Sequence, residues 1–141
     1  MIHYEKIVTK KGDFDNEDLR MNYIGDKIEC IINKYKITDI VCENQFTSVN
    51  SQTILALRKV IGIISRISYE HNIIPTYYMP SSWRKILNIN KGKSKDKKLL
   101  AYEYVTDQGI TLGEFKISGK DKNDDIVDSI AMGMAYLKNN K

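Results

Sequence analysis

Between Ile37 and Met79 the sequence reads strand, helix, strand, and that order limits the fold more than any other feature. Ile37 to Cys42 is a brief apolar run ending in Glu43, the pattern of a strand buried on both faces. A helical stretch follows, opened by Asn50 or Ser51 and running to about His71. Its apolar residues (Ile54, Leu57, Val60, Ile61, Ile63, Ile64, Ile67) cover more than one stripe, so it is expected to be buried on two sides or to face a partner. Gly62 falls in its middle, where glycine costs about 1 kcal/mol relative to alanine, and close helix packing is the expected compensation. Ile73 to Met79 is a second short strand, stopped by Pro80. Strands that alternate with helices argue for an α/β domain with parallel pairing.

The flanks extend the pattern. Ile2 to Thr9 alternates apolar and polar residues and predicts a strand, broken by Lys10-Lys11-Gly12. An acidic cluster from Asp13 to Asp18 then leads into an amphipathic helix carrying Leu19, Tyr23, Ile24, Ile28, Ile31, Ile32 and Tyr35 at three- and four-residue spacing. After Pro80, Ser81 to Lys85 starts a short helix. The basic segment from Asn90 to Lys98 leads into another helix that reaches about Thr106. A hairpin is expected between Gly109 and Gly119, with arms 110–112 and 114–118. Asn123 or Asp124 opens the last helix, with an expected apolar face of Ile126, Val127, Ile130, Met134 and Leu137. There are no internal repeats, and residues 1–141 are read as a single domain.

Composition sets outer bounds. Apolar residues make up 42% and charged residues 28%, a globular balance. Lys and Arg total 22 against 18 Asp and Glu, a net charge of +4, and this excess alone does not identify a nucleic-acid partner. Cys30 and Cys42 lie in apolar stretches with no second cysteine at ligand spacing. Both read as small core residues of a reducing compartment, against a disulfide or a zinc site. The opening residues Met1 to Lys6 carry no long apolar run, and no stretch approaches the ~20 apolar residues of a membrane span. A soluble intracellular protein is expected.

Three carboxylates stand apart from the surface charge. Glu43 closes the most apolar strand, at the end where α/β domains place their ligands. Asp125 and Asp128, spaced i, i+3, share one face of the first turn of the last helix, with Asp124 just before them. Phosphodiester hydrolysis needs charge neutralised on both the attacking and the leaving oxygen. Hard cations about 4 Å apart, held by carboxylates, do this. Taken alone, aspartates in a first turn are more often explained by capping and the helix dipole. Between Lys91 and Lys98 five lysines fall in eight residues, opposed by Asp96 alone, which suits phosphate contact or a solvated loop. Phe46, in a polar loop after Glu43, suits base stacking or anchoring of the loop. Trp83 beside Arg84 is divided between core filling and DNA contact. His3 and His71 read as structural.

Taken in order, these segments resemble the RuvC-type Holliday junction resolvases, in the style of the small versions carried by bacteriophages and low-GC bacteria. The matching blocks are Asp39-Ile-Val-Cys-Glu-Asn-Gln-Phe46, the long helix from Ser51, and Ile74-Pro75 to Pro80-Ser-Ser-Trp-Arg-Lys85. The Gly-Lys-Ser-Lys segment at 92–95 and Asp124-Asp-Ile-Val-Asp-Ser-Ile-Ala131 complete them, over roughly residues 3–141. The resemblance implies an α/β, ribonuclease H-like sheet with flanking helices. It implies metal-dependent cutting of branched DNA such as four-way junctions, in recombination and repair, with Mg²⁺ or Mn²⁺ as cofactor. Glu43, Asp125 and Asp128 would be the catalytic metal ligands. Phe46, Arg84 and Lys95 would contact DNA, with Lys85 and Lys93 as near alternatives. The helix around Ile54–Ile67 would form a homodimer interface, and the setting would be a bacterial or phage-infected cytoplasm.

The sequence departs from the family pattern at one point. The family begins with a strand bearing a catalytic aspartate, paired with a second strand, whereas Met1 already sits in what resembles the third. Three of four catalytic carboxylates are therefore expected here, and a member of the family left inactive by the missing aspartate is one of the readings. The N-terminal segment is expected to move in beside the Ile37–Cys42 strand. The alternative reading is a non-catalytic, dimeric DNA-binding remnant of the same fold.

Overall fold

The computed structural model describes residues 3–44 and 51–140. Its elements in chain order are α1 (Glu17–Tyr35), β1 (Val41–Glu43), α2 (Ser51–Glu70), β2 (Thr76–Tyr78), α3 (Pro80–Ile86), α4 (Ser94–Asp107) and α5 (Asp124–Asn139), with a 3-10 turn at Lys11–Asp13. Contacts group the chain into two compact units, residues 7–77 and residues 1–6 with 78–141.

In the first unit α1 packs on α2. Asn16 caps α1 by accepting from the Leu19 N–H at 2.9 Å, and Glu17 and Asp18 occupy its first turn. Lys36 adopts a left-handed conformation (φ 53°), and the Ile37 N–H closes the helix on the Ile32 carbonyl at 3.1 Å. Asn72 ends α2 in the same way, with φ 56° and Ile73 N–H on the Ser68 carbonyl at 2.8 Å. Ile32, Ile67 and Ile73 form the core, surrounded by Ile28, Ile37, Ile40 and Ile63. The close approach of the two helices falls at Gly25, where an added Cβ would lie 2.8 Å from Ile63 Cγ2. Gly62, expected to be the packing glycine, instead has nothing among the described residues within 4 Å of an added Cβ and lines an open surface groove with Met21, Lys59 and Arg66.

The described sheet has two strands, β1 beside β2, joined through α2 and running parallel. Thr76 N–H donates to the Ile40 carbonyl at 2.8 Å, so backbone pairing begins just before β1. Both strands are shorter than the apolar runs that predict them. The strand expected over residues 2–9 does not form in residues 3–9, and the sheet order rejects its adjacency to the Ile37–Cys42 strand. Alternation marks a face, but a strand also needs a partner for its backbone. This segment is tied down by side chains instead, with Thr9 Oγ1 accepting from Arg20 Nε at 2.8 Å. Cys42 is buried as expected; Cys30 is exposed, on the outer side of α1, and both thiols are free.

In the second unit α5 packs on both α3 and α4. Trp83, Ala101, Val105, Val127, Ala131 and Ala135 are fully buried there. Trp83 is thus core filling. The buried stripe of α5 is built on Val127, Ala131 and Ala135, while Leu137, expected on the apolar face, is half exposed. Small residues on this stripe allow the helix backbone to approach its neighbours closely. The hairpin expected between Gly109 and Gly119 is a loop. Asn123 takes the bonds a cross-strand partner would take: its Oδ1 accepts from Lys116 N–H at 2.9 Å and its Nδ2 donates to the Glu114 carbonyl at 3.0 Å. Phe115 stacks on Tyr102 of α4, with ring centroids 4.8 Å apart.

A candidate metal and nucleic-acid site at the start of the last helix

Asn123 precedes α5, and its carbonyl accepts from the N–H groups of Ile126 and Val127, both at 3.1 Å. The loop is thereby fastened to the first turn, which carries Asp124 and Asp125, with Asp128 on the turn that follows. These acids differ sharply in exposure. Asp124 is 3% exposed, while the side chain of Asp125 is 60% exposed and that of Asp128 is 22% exposed.

Each acid meets a cation from a different stretch of chain. Lys98 of α4 donates through Nζ to Asp124 Oδ2. Arg84 of α3 donates through Nη2 to Asp128 Oδ2 at 3.0 Å. Asp125 lies 3.3 Å from Lys122 Nζ and 3.9 Å from Lys6 Nζ. Burial pushes the Asp124 carboxyl up. The Lys98 hydrogen bond and the Lys98 and Lys122 charges outweigh burial and hold its pKa below the ordinary 3.8. The Arg84 guanidinium also lies over the Trp83 ring, 4.5 Å from its centroid.

The donor chemistry fits a hard divalent cation, because carboxylate oxygens are the ligands such ions prefer. Oδ1 of Asp124 is buried and accepts no hydrogen bond from the described residues, an acceptor a cation would satisfy. Among the described residues, no three or more His, Cys, Asp or Glu side chains gather into a group able to hold a metal ion. Glu43 is half-buried at the end of β1, in the first unit, and Phe46 lies outside the described residues. Burial pushes the Cys42 thiol in the same strand up to about 11, so it stays protonated and is no nucleophile near neutral pH.

Of the lysines expected to meet DNA, Lys85 lies in the last turn of α3, and Lys93 and Lys95 lie at the start of α4. Lys85, Lys91, Lys93 and Lys95 are exposed. Asp96, the one acid of the segment, accepts from the Lys93 N–H at 2.8 Å and so caps α4. Gly92 makes this possible: at φ 77° and with an added Cβ 2.8 Å from Asp96 Cβ, no side chain fits there. Sequence reasoning passed over Lys98. Its signal was spacing, since Lys98, Ala101 and Val105 recur at three and four residues, which puts a lysine on the buried face of α4.

Two solved structures share this architecture. The Thermus thermophilus RuvC structure gives a TM-score of 0.71 at 12% identity, covering 98% of this chain and 78% of that one. T. thermophilus RuvC in complex with a Holliday junction substrate gives 0.70 at 13% identity, over 98% and 79%. At such identity the likeness speaks for the fold, an α/β domain of the ribonuclease H type. The family model for crossover junction endodeoxyribonuclease RuvC matches residues 1–136, and the chain belongs to that family. The crossover junction endodeoxyribonuclease RuvC of Fusobacterium nucleatum is 26% identical over 97% of this chain, which spans 66% of that protein. The one from Brachyspira hyodysenteriae is 23% identical over 91% of this chain and 74% of its own length.

Proposed function

We propose that this chain acts as a divalent-metal-dependent endonuclease on branched DNA, four-way junctions foremost. The observation that carries the reading is the acidic first turn of α5 in the same unit as the exposed lysines of the α3–α4 segment. Glu43, Asp125 and Asp128 would hold the metal, Mg²⁺ or Mn²⁺, with Asp124 as their buried neighbour. When bound, the metal would lower the pKa of a water and offset the negative charge that develops at phosphorus. Lys85, Lys93 and Lys95 supply ammonium groups for phosphates, and Phe46 an aromatic face for a base. The apolar residues that α2 leaves exposed, Leu55 and Leu57, support a two-fold dimer through the helix around Ile54–Ile67. Among the described residues no helix is long and apolar enough to cross a membrane, in keeping with a cytoplasmic setting.

The test is nicking of a synthetic four-way junction in Mg²⁺ or Mn²⁺. The native chain should cut, and Glu43→Gln or Asp125→Asn should abolish cutting while leaving junction binding in place. A second reading, a non-catalytic DNA-binding dimer, is favoured by the cations that already neutralise the acids of α5. Binding without cutting, unchanged by either substitution, would establish it. Competition with flap and RNA–DNA hybrid substrates tests the preference for junctions.

A further inference from the structure

Arg84 is an unusual counter-ion. Its Nη2 bonds Asp128 at 3.0 Å, yet its Nε is buried and has no hydrogen-bond partner among the described residues. A guanidinium presents Nε and Nη as a fork suited to two oxygens at once, and here one prong is used and the other left over. Such an orphan donor carries an uncompensated desolvation penalty, which a side chain serving only to tie α3 to α5 has no reason to bear. The two helices are in contact, and Trp83 beneath the guanidinium is wholly buried. That indole gives the charge a second support, 4.5 Å from the ring centroid, that does not depend on Asp128.

We propose that Arg84 is an exchangeable counter-ion. It neutralises Asp128 in the metal-free chain, yields that carboxylate to a divalent cation, and then offers its whole donor fork to a phosphate. This deepens the nuclease reading above and rests on it. Two consequences follow from linkage. Arg84 competes with metal for Asp128, so removing its charge tightens metal binding. Because a released Arg84 is the better phosphate ligand, metal and DNA also strengthen each other's binding, by the same factor in both directions.

The experiment titrates the full chain with Mn²⁺, followed by the loss of the free-ion electron paramagnetic resonance signal. It then measures four-way junction affinity with and without Ca²⁺, for the native protein, Arg84→Gln and Arg84→Lys. Arg84→Gln should bind Mn²⁺ at least ten-fold tighter than native, and Arg84→Lys should fall between them. The gain should vanish in Arg84→Gln/Asp128→Asn. Ca²⁺ should tighten junction binding several-fold in the native chain and far less in Arg84→Gln. Equal Mn²⁺ affinity in native and Arg84→Gln overturns the exchange while leaving a metal site intact. If no variant binds Mn²⁺, the exchange and the metal-nuclease reading fall together. Should Arg84→Gln not fold, Arg84→Lys decides: Mn²⁺ affinity equal to native overturns the proposal.

Discussion

Lys98 and Asp124 form an ion pair that joins the buried face of α4 to the first residue of α5. The Asp124 side chain is 5% exposed, and the ammonium of a partly exposed lysine is its partner. Removing one member of such a pair strands the other charge away from water. Lys98→Met should therefore cost about 2–3 kcal/mol in urea unfolding, a value reduced from the fully buried range because the lysine is partly solvated. Asp124→Asn should cost less, and Lys98→Met/Asp124→Leu should recover much of the single-mutant loss. A double variant as unstable as the sum of its parts would refute this pairing.

The same pair makes stability depend on pH in a defined direction. The folded pKa of Asp124 is below 3.8, the value it regains on unfolding. Its stabilising contribution is thus complete well above pH 3.8 and is lost as pH falls below that value, through the lowered folded pKa. The stability difference between native protein and Asp124→Asn, measured in EDTA from pH 6 to pH 2, should be flat down to about pH 5. It should shrink only in the acid range. A difference that grows on acidification would contradict the assignment.

Two glycines make opposite predictions. At Gly25 an added methyl meets Ile63 Cγ2 at 2.8 Å, so Gly25→Ala must separate α1 from α2 or displace Ile63. Overpacking of this kind costs about 1–3 kcal/mol. Gly62 faces open space in the interior of α2, so Gly62→Ala gains helix propensity with no clash and should stabilise by about 0.5–1 kcal/mol. Thermal melts of the two variants should move in opposite directions.

Those glycines also show where the sequence was legible. Periodicity places helices along the chain and identifies their apolar faces. The acidic cluster before Leu19 and the Asn123-Asp124 boundary mark where helices begin, and α1, α4 and α5 form over the expected stretches. Periodicity does not say which glycine faces a neighbour, because that depends on where two helices cross. The expected hairpin fails for a similar reason. Its alternation is real, but Asn123, a residue beyond the loop, captures the Lys116 and Glu114 backbone groups that a second arm would need. The acids of α5 are legible as a group, while their separate environments are not. Asp124 is buried and Asp125 exposed because α4 and α3 pack on one side of the turn, and no local pattern encodes that side.

The lysines of the α4 approach make the last prediction, which concerns salt. Lys93 and Lys95 are exposed, and the Lys93 backbone and Gly92 are fixed by the Asp96 cap, so neutralising these side chains leaves the local fold unchanged. Each lysine that contacts a phosphate displaces condensed counterions, and its loss lowers the slope of log affinity against log salt by about 0.9 on duplex DNA. Lys93→Gln and Lys95→Gln should each flatten that slope by about one unit. They should weaken junction binding to a similar degree whatever the DNA sequence, because phosphates carry no sequence information. Lys34→Gln, on α1 in the other unit, should leave the slope unchanged. Equal slopes for the native chain, Lys93→Gln and Lys95→Gln would remove these residues from the DNA contact surface and reduce the basic segment to a solvated loop.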